Sequence, residues 1–210
     1  MIRVAIADDH SLIRDGFKKL ISNEEKMSLA GEAKNAEEAV SIIKNNMVDV
    51  LVLDLGLPDK NGLELLKDIQ VINNSVRILV LSMYSEKRYA KRAFHLGAAG
   101  YIKKEAASEE LIEAIKIIYS KGRYVTKAVE EILTESFSAQ TQPNPHETLS
   151  DREYQLLLKI GQGKTVKEIA AELGLSINTI HSYRKRLLKK MDLHTDTEIV
   201  QYTLRHDLAK

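Results

Sequence analysis

The sequence contains no cysteine and only three prolines among its 210 residues. Without cysteine the chain can form no disulfide, no catalytic thiol and no cysteine-based zinc site. Its apolar runs stay well below the roughly 18 residues of a membrane span, and its first residues show a strand-like pattern in place of a signal peptide. We therefore expect a cytoplasmic protein that does not use the membrane as a partner.

Neither sign of charge is in excess, because 31 lysines and arginines face 30 acidic residues and leave a formal net charge of +1. This near balance conceals one basic stretch. Residues 173–191 contain no aspartate or glutamate, whereas five of the seven residues at 184–190 are lysine or arginine. Such a run predicts one strongly positive face. With 44% hydrophobic residues, the chain is expected to form one or two domains.

Apolar strand patterns alternate with helical patterns in the first part of the chain. The strand candidates are residues 2–7, 28–33, 50–53, 76–81 and 100–102, and the helical candidates are residues 12–21, 36–44, 63–72, 87–96 and 111–119. Because right-handed crossovers place helices on both sides of parallel strands, this alternation predicts an α/β doubly wound five-stranded parallel sheet. We expect the flavodoxin-like order 2-1-3-4-5, in which ligands bind beyond the carboxyl ends of the strands.

A polar stretch at residues 138–148 contains Pro143 and Pro145 and is typical of a linker. The pattern after it is all-helical, and the capping-box spacing of serine or threonine three residues before glutamate occurs at Ser150, Thr165 and Thr195. We expect three parts: an α/β domain at 1–122, a partly helical linker at 123–147 and a small four-helix domain at 148–210. The amphipathic segment 125–137 either couples the two domains or is a passive spacer.

Polar side chains follow four of the predicted strands. Asp8 and Asp9 come after the first strand and Asp54 after the third, so three carboxylates are expected to converge at one edge of the sheet. They cannot all stay ionised unless a cation joins them, and a hard dication such as Mg²⁺ suits oxygen ligands. Strands four and five end at Ser82 and Lys103, which add a hydroxyl and an ammonium. This set suits a phosphoryl group, with Asp54 as the nucleophile that forms an aspartyl phosphate.

Each of these residues has a simpler interpretation when it is taken alone. An aspartate after a strand is more often a turn former or a helix cap, and a lone lysine is more often a solvated charge. Taken together, the acids after strands one and three, the hydroxyl after strand four and the lysine after strand five favour a phosphoryl site. A regulator that ignores phosphate is the less favoured interpretation. A hydrolase with an aspartate nucleophile commonly has a second acid two residues on, and Gly56 at that position argues against it.

The basic stretch lies on a helix-turn-helix pattern. Residues 165–173 and 177–191 are helical candidates joined by a short turn, an arrangement that lays its second helix in the major groove of DNA. Lysine and arginine would contact phosphates, whereas His181 and Ser182 are better placed to meet base edges. The candidates for DNA contact are Thr165, Ser176, Asn178, Thr179, His181, Ser182, Arg184, Lys185 and Lys189. The alternatives are a solvated helix face and an adaptor module that binds protein.

Four segments resemble the receiver domain of response regulators, namely IADDH (6–10), LVLDLGLPDKNGLELL (51–66), ILVLSMYS (78–85) and GAAGYIKKEA (97–106). Residues 149–191 resemble the LuxR-type helix-turn-helix domain throughout. Together the two halves are similar to two-component transcriptional regulators of the NarL/FixJ family. The resemblance implies that Asp54 is the phosphoacceptor, and that Asp9, with Asp8 through water, holds Mg²⁺ beside the backbone carbonyl of Gly56.

The resemblance further implies that Ser82 and Lys103 contact the phosphoryl group and that the rotamer of Tyr101 reports it. Lys104 is a departure, since many receivers have proline after the conserved lysine. The implied partners are a sensor histidine kinase or a small phosphodonor, double-stranded DNA bound as a homodimer on paired half-sites, and RNA polymerase. Catalysis would be limited to the protein's own phosphorylation and dephosphorylation.

Overall fold

The computed structural model describes residues 1–83, 86–138 and 144–208. The chain divides into two compact units, Met1–Ala139 and Gln140–Lys210. Among the described residues, no helix has both the length and the apolar character needed to cross a membrane.

The first unit is a five-stranded parallel sheet in the order β2-β1-β3-β4-β5, which confirms the predicted fold and strand order. Its strands are β1 (Ile2–Ala7), β2 (Met27–Ala33), β3 (Val50–Asp54), β4 (Arg77–Ser82) and β5 (Gly100–Lys103). Its helices are α1 (Ser11–Ser22), α2 (Ala36–Asn45), α3 (Gly62–Ile72), α4 (Glu86–His95), α5 (Ala107–Lys121) and α6 (Lys127–Ser138). Strands β1, β3 and β4 are almost entirely buried, as their continuous apolar sequences predict for a sheet covered on both faces.

Side chains alternate between the two faces of this sheet, because a β-strand repeats every two residues. One face packs on α1 and α5. The strand residues of that core include Val4, Ile6, Val50, Val52, Leu79, Leu81 and Ile102, and the helix residues include Phe17, Ile21, Leu111, Ile115 and Ile118. A residue that follows two positions after the last core residue of a strand therefore has its side chain on the same face of the sheet, the face covered by α1 and α5.

Helix α6 falls within the linker that the sequence predicts, yet it packs on α4 in the first unit. Val129 of α6 is fully buried. The chain reaches α6 along the edge of the sheet, where the amide of Tyr124 donates to the carbonyl of Ala99 at 2.8 Å and a parallel bridge joins Tyr124 to Gly100. The residues around Tyr124, which lead into α6, therefore cover part of the outer edge of β5.

The described residues of the second unit form a 3₁₀ turn at Pro145–Thr148, followed by α7 (Asp151–Gly161), α8 (Val166–Leu173), α9 (Ile177–Met191) and α10 (Asp196–Arg205). The capping boxes predicted at Ser150 and Thr165 are both formed. Thr195 also caps its helix, but Glu198 accepts the amide of His194 in place of closing the box. The four helices α7 to α10 agree with the small all-α domain predicted from the sequence.

Candidate functional site: an acidic cluster and a basic helix

The predicted carboxylates converge at the carboxyl edge of the sheet. Asp8, the first residue after β1, is 1% exposed, and Asp54, the last residue of β3, is 4% exposed. Asp9 and His10 complete the cluster, and one ligand atom from each of these four residues lies within 4.8 Å of the others. The edge therefore gathers three carboxylates and one imidazole, as adjacent parallel strands dictate.

A lysine bridges the two buried carboxylates of this acidic cluster. The Nζ atom of Lys104 lies 2.7 Å from Oδ2 of Asp54 and 2.7 Å from Oδ2 of Asp8. The contact with Asp54 has hydrogen-bond geometry. The side chain of Lys104 is only 5% exposed, so its ammonium has lost most of its contact with water and interacts with the two carboxylates instead.

This geometry corrects the prediction that Lys103 is the lysine of the site, because the lysine that pairs with Asp8 and Asp54 is Lys104. Asp8, Asp54 and Lys104 each stand two positions after a strand residue of the core beneath α1 and α5. Because the side-chain period of a strand is two, all three leave the sheet from that face. Lys103, one position earlier on β5, points from the opposite face.

The buried part of the cluster holds more negative than positive charge. Burial raises the pKa of Asp54 above its ordinary value, and the neighbouring Asp8 adds to the increase, although the ammonium of Lys104 opposes it. Burial also opposes the charge of Lys104, but the carboxylates of Asp54 and Asp8 outweigh that effect and raise its pKa. The two directions are compatible, because one ammonium is shared by two carboxylates and compensates neither completely.

The residues of the cluster fit a hard dication. Carboxylate oxygens are the ligands that Mg²⁺ prefers, and the excess negative charge favours a cation beside the lysine. Gly56 leaves room next to Asp54, since a Cβ at position 56 would lie 3.3 Å from Oδ2 of Asp54. Asp8, Asp9 and Asp54 are the side chains that would hold the ion.

His10 within the acidic cluster and Arg14 next to it were not predicted as site residues. The Nδ1 atom of His10 lies 2.7 Å from Oδ1 of Asp9 and 3.2 Å from Oδ1 of Asp8. The guanidinium of Arg14 donates to the carbonyl of Asp8 at 2.6 Å. His10 follows the two aspartates directly, so its proximity was available from the sequence, whereas Arg14 reaches the turn from α1 and becomes visible only in the fold.

The other predicted phosphoryl-sensing residues lie near the ends of β4 and β5. Ser82 is the last residue of β4, is 1% exposed and is in register with Lys103. Tyr101 lies on β5 and is fully buried. The structure therefore places the hydroxyl of Ser82 at the same edge of the sheet as the acidic cluster, with the aromatic ring inside the unit.

The second candidate site is the outer face of α9, whose bounds coincide with the predicted recognition helix. Ile180, Leu187 and Met191 are buried, so the opposite face is directed to solvent. That face contains exposed side chains at Asn178, His181, Ser182, Lys185 and Lys189. Ser176 caps α9 by accepting the amide of Thr179 at 3.1 Å, and left-handed Gly174 (φ +62°) ends α8, as helix-capping chemistry requires.

Several polar residues of this region already have partners inside the second unit. Arg184 pairs with Asp196 of α10 at 2.8 Å. The hydroxyl of Thr165 donates to Glu168 at 2.7 Å, which makes it a poor donor for phosphate. Lys190 pairs with the buried Glu153 at 2.7 Å. In the described contacts, by contrast, no acid pairs with the lysines at 185 and 189, so these charges remain available for a ligand.

Both units of the chain match known protein families. A family model described as the response regulator receiver domain matches residues 4–116, and one described as bacterial regulatory proteins of the luxR family matches residues 147–203. The response regulator UvrY of Escherichia coli (strain K12) is 34% identical over 210 residues, which cover 100% of this chain and 96% of UvrY.

Solved structures of RcsB are similar over nearly the full length. RcsB from Salmonella enterica serovar Typhimurium, bound to a promoter in the presence of phosphomimetic BeF3−, is 27% identical with a TM-score of 0.66 and covers 96% of this chain and 97% of its own. A structure of two RcsB dimers bound to two parallel DNAs is 26% identical with a TM-score of 0.60 and covers 96% of each chain.

Fold, acidic cluster and basic helix together define a response regulator, in which a receiver domain precedes a luxR-type domain. The chain belongs to the NarL/FixJ family of two-component response regulators, which regulate transcription by binding DNA and are not dedicated enzymes.

Proposed function

We propose that phosphoryl transfer to Asp54 switches this response regulator and that α9 carries its contact with DNA. The observation that carries the first part is the position of Lys104, which joins Asp54 to Asp8 at 2.7 Å inside a buried cluster with excess negative charge. A structural ion pair would balance its charges, whereas this cluster is left short of positive charge. Such an imbalance suits a site that receives a metal ion and a phosphoryl group.

The reaction would proceed by in-line displacement. A carboxylate oxygen of Asp54 forms a bond to phosphorus, and the bond from phosphorus to the nitrogen or oxygen of the donor breaks, with its electron pair leaving on the donor. Lys104 can then pair with an oxygen of the transferred group, whose added negative charge it offsets. Mg²⁺, when bound by Asp8, Asp9 and Asp54 and by the carbonyl of Gly56, would supply further charge neutralisation. Ordinary hydrolysis of the aspartyl phosphate would reset the switch.

We propose that Ser82 and Tyr101 convert phosphorylation into a change of conformation. Ser82 offers a hydroxyl at the end of β4, where a phosphoryl group on Asp54 would accept its hydrogen bond. Tyr101 is buried on β5, the strand that pairs with β4, and its ring would change rotamer when Ser82 moves toward the phosphoryl group. Helix α6 packs on α4, the helix that follows β4, and therefore favours coupling over a passive spacer. Hydrogen exchange in α6 that is unchanged by phosphorylation would contradict this role.

The proposed DNA contacts divide by chemistry. Lys185 and Lys189 would contact phosphates, and Asn178, His181 and Ser182 would meet base edges. Ser176 and Thr179 stay as weaker candidates because their hydroxyl oxygens lie 2.8 Å apart at the helix start, and Arg184 and Thr165 contribute less because they already have internal partners. The RcsB complexes with DNA support DNA binding by similarity. We infer a homodimer on paired half-sites, a kinase or small phosphodonor and RNA polymerase as partners, and action in the cytoplasm.

The direct test of the switch is the mass of the intact protein after incubation with acetyl phosphate and Mg²⁺. We expect a gain of about 80 Da, one phosphoryl group, in the wild type. The gain should disappear in Asp54→Asn and after addition of EDTA, since one removes the nucleophile and the other the dication. Phosphorylation that persists in Asp54→Asn would assign the phosphoacceptor elsewhere, and no gain with any donor would favour a regulator that ignores phosphate.

A further inference from the structure

The loop between β3 and α3 carries one carboxylate that neither the acidic cluster nor the DNA contacts use. Asp59 has an exposed side chain in this loop. Its Oδ1 accepts the amide N–H of Ala36 at 2.8 Å, and its Oδ2 accepts that of Glu37 at 3.1 Å. These are the first two residues of α2. One carboxylate therefore joins the loop after the phosphoacceptor to the start of a different helix.

Helix α2 has a local cap of its own. Asn35 accepts the amide of Glu38 at 2.8 Å, and Glu38 accepts the amide of Lys34 at 2.9 Å. The first-turn amides that a local cap leaves open can bond to water at no structural cost. Asp59 binds them from a position 23 residues away from Ala36, so the contact fixes the loop relative to α2.

The same loop carries the main chain of Gly56. Gly56 lies directly beside the carboxylate of Asp54, since a Cβ at Gly56 would be 3.3 Å from Oδ2 of Asp54. At the other end, the amide of Gly62 donates to the carbonyl of Leu55 at 3.1 Å, and a Cβ on Gly62 would come within 2.4 Å of the Cα of Leu55. The loop is thus fixed at its start and its end, and Asp59 anchors its middle.

We propose that Asp59 is a positioning residue for phosphoryl transfer, because it holds the β3–α3 loop against α2 and thereby keeps the main chain of Gly56 at the acidic cluster. This inference rests on the proposed function of Asp54. Mg²⁺ demands near-ideal octahedral geometry, and a functional site must hold its groups to within about 0.5 Å. Loss of the anchor should therefore weaken Mg²⁺ binding by about tenfold, as does loss of other groups that orient metal ligands.

The test compares three variants of the full chain. Asp59→Ala removes the anchor. Asn35→Ala removes the local cap of the same helix and leaves the loop anchored, which makes it the control for helix stability. Glu37→Gln removes one negative charge at the same helix end and keeps both contacts of Asp59, which makes it the control for charge. For each variant, calorimetric titration gives the Mg²⁺ dissociation constant, thermal unfolding gives Tm, and intact mass gives the rate of phosphorylation by acetyl phosphate.

We expect Asp59→Ala to raise the Mg²⁺ dissociation constant by about tenfold and to slow phosphorylation, while both controls stay within about twofold of the wild type. A purely structural role predicts instead that Asp59→Ala and Asn35→Ala lower Tm alike and leave Mg²⁺ affinity unchanged, which would overturn the proposal. A wild type that binds Mg²⁺ but gains no phosphoryl group would contradict the function proposed for Asp54, and the Mg²⁺ titration would still decide the role of Asp59.

Discussion

The acidic cluster of the first unit and the basic face of α9 in the second use charge in opposite ways. In the cluster, the side chains of Asp8, Asp54 and Lys104 are between 1% and 5% exposed and lie within ion-pair distance. On α9, Lys185 and Lys189 are exposed, and no acid pairs with them among the described contacts. The first arrangement fixes a few atoms, whereas the second leaves long side chains free to adapt.

Buried and exposed charges suit different functions in the two units. Buried charges interact strongly because little water screens them, so a change of one charge at Asp54 can move its neighbours. Exposed lysines interact weakly and are screened by salt, but several of them together release counterions from DNA and give an affinity that one ion pair cannot. The buried acidic cluster therefore suits a reaction at one atom, and the exposed face of α9 suits distributed binding.

The largest expected effect separates two neighbouring lysines, Lys103 at the end of β5 and Lys104 directly after it. Lys104→Ala should slow phosphorylation of Asp54 by about 100-fold, because it removes the group that offsets charge on the transferred phosphoryl oxygens. Lys103→Ala is the matched control and should leave the rate nearly unchanged, since its side chain leaves the opposite face. Intact mass as a function of time measures both rates, with circular dichroism as the check on folding. Equal loss in the two variants would contradict the assignment of Lys104.

A smaller effect is expected from Glu153, a strongly buried carboxylate of the second unit. Glu153 is 2% exposed. Burial tends to raise its pKa, but hydrogen bonds from Lys190 and Ser150 outweigh burial and lower the pKa below its ordinary value. Its stabilising contribution is therefore present above the ordinary pKa of about 4.3 and is lost as pH falls through the folded-state value. Glu153→Gln should lower the free energy of unfolding of this unit by about 2 kcal/mol at pH 7. Calorimetry should show that the variant and the wild type converge in acid.

The exposed Glu172 is the matched control for Glu153. It pairs with Lys159 and Lys164 at 2.5 Å, but its side chain is 38% exposed. Glu172→Gln should therefore cost no more than about 0.5 kcal/mol, as is common for surface ion pairs. A loss as large as that of Glu153→Gln would mean that burial does not distinguish the two carboxylates.

The salt dependence of DNA binding can distinguish the basic side chains of α9 that lack an acidic partner among the described contacts from those that have one. Lys189→Ala should weaken binding to duplex DNA and reduce the slope of log affinity against log salt concentration by about one. Arg184→Ala should change that slope much less, because Arg184 pairs with Asp196 at 2.8 Å and supports the contact between α9 and α10. Fluorescence anisotropy at several salt concentrations gives the slopes. If Arg184→Ala reduces the slope as much as Lys189→Ala does, Arg184 contacts phosphate after all.

A gain in stability, smaller than the loss in Glu153→Gln, is expected from Asp54→Asn. Burial raises the pKa of Asp54, so its ionised form opposes folding at neutral pH, and the opposition is relieved as pH falls through the raised value. The amide should therefore stabilise the first unit by up to about 1 kcal/mol at pH 7 without Mg²⁺, and the gain should vanish below the ordinary pKa of about 3.9. Thermal unfolding across this pH range measures the gain. A destabilised variant at pH 7 would show that the contact with Lys104 outweighs burial.

Local patterns predicted most of the fold. The positions of the strands, the capping boxes at Ser150 and Thr165 and the bounds of α9 follow from periodicity and from hydrogen-bonding chemistry within a few residues. The strand order follows instead from the flavodoxin-like arrangement of doubly wound sheets, which the structure has. The error at Lys103 has an equally local origin. The alternation of β5 places Ile102 in the core beneath α1 and α5, so a stricter use of the two-residue period would have selected Lys104.

Contacts between distant parts of the chain were beyond prediction from one sequence. The docking of α6 on α4 depends on how two helices pack, and an amphipathic pattern alone does not name the partner. The bond from Asp59 to Ala36 joins residues 23 positions apart, and the pair between Arg184 and Asp196 joins two helices across a turn. These contacts decide which charged groups are available for ligands, and the sequence shows only that the charges are present.

The central claim is that chemistry at Asp54 controls binding through α9. The most direct measurement is the affinity for a duplex selected from random sequence, at one fixed salt concentration, with and without acetyl phosphate and Mg²⁺. The account predicts tighter binding for the phosphorylated wild type and no response in Asp54→Asn. Equal affinity for phosphorylated and unphosphorylated protein, with phosphorylation verified by mass, would contradict it.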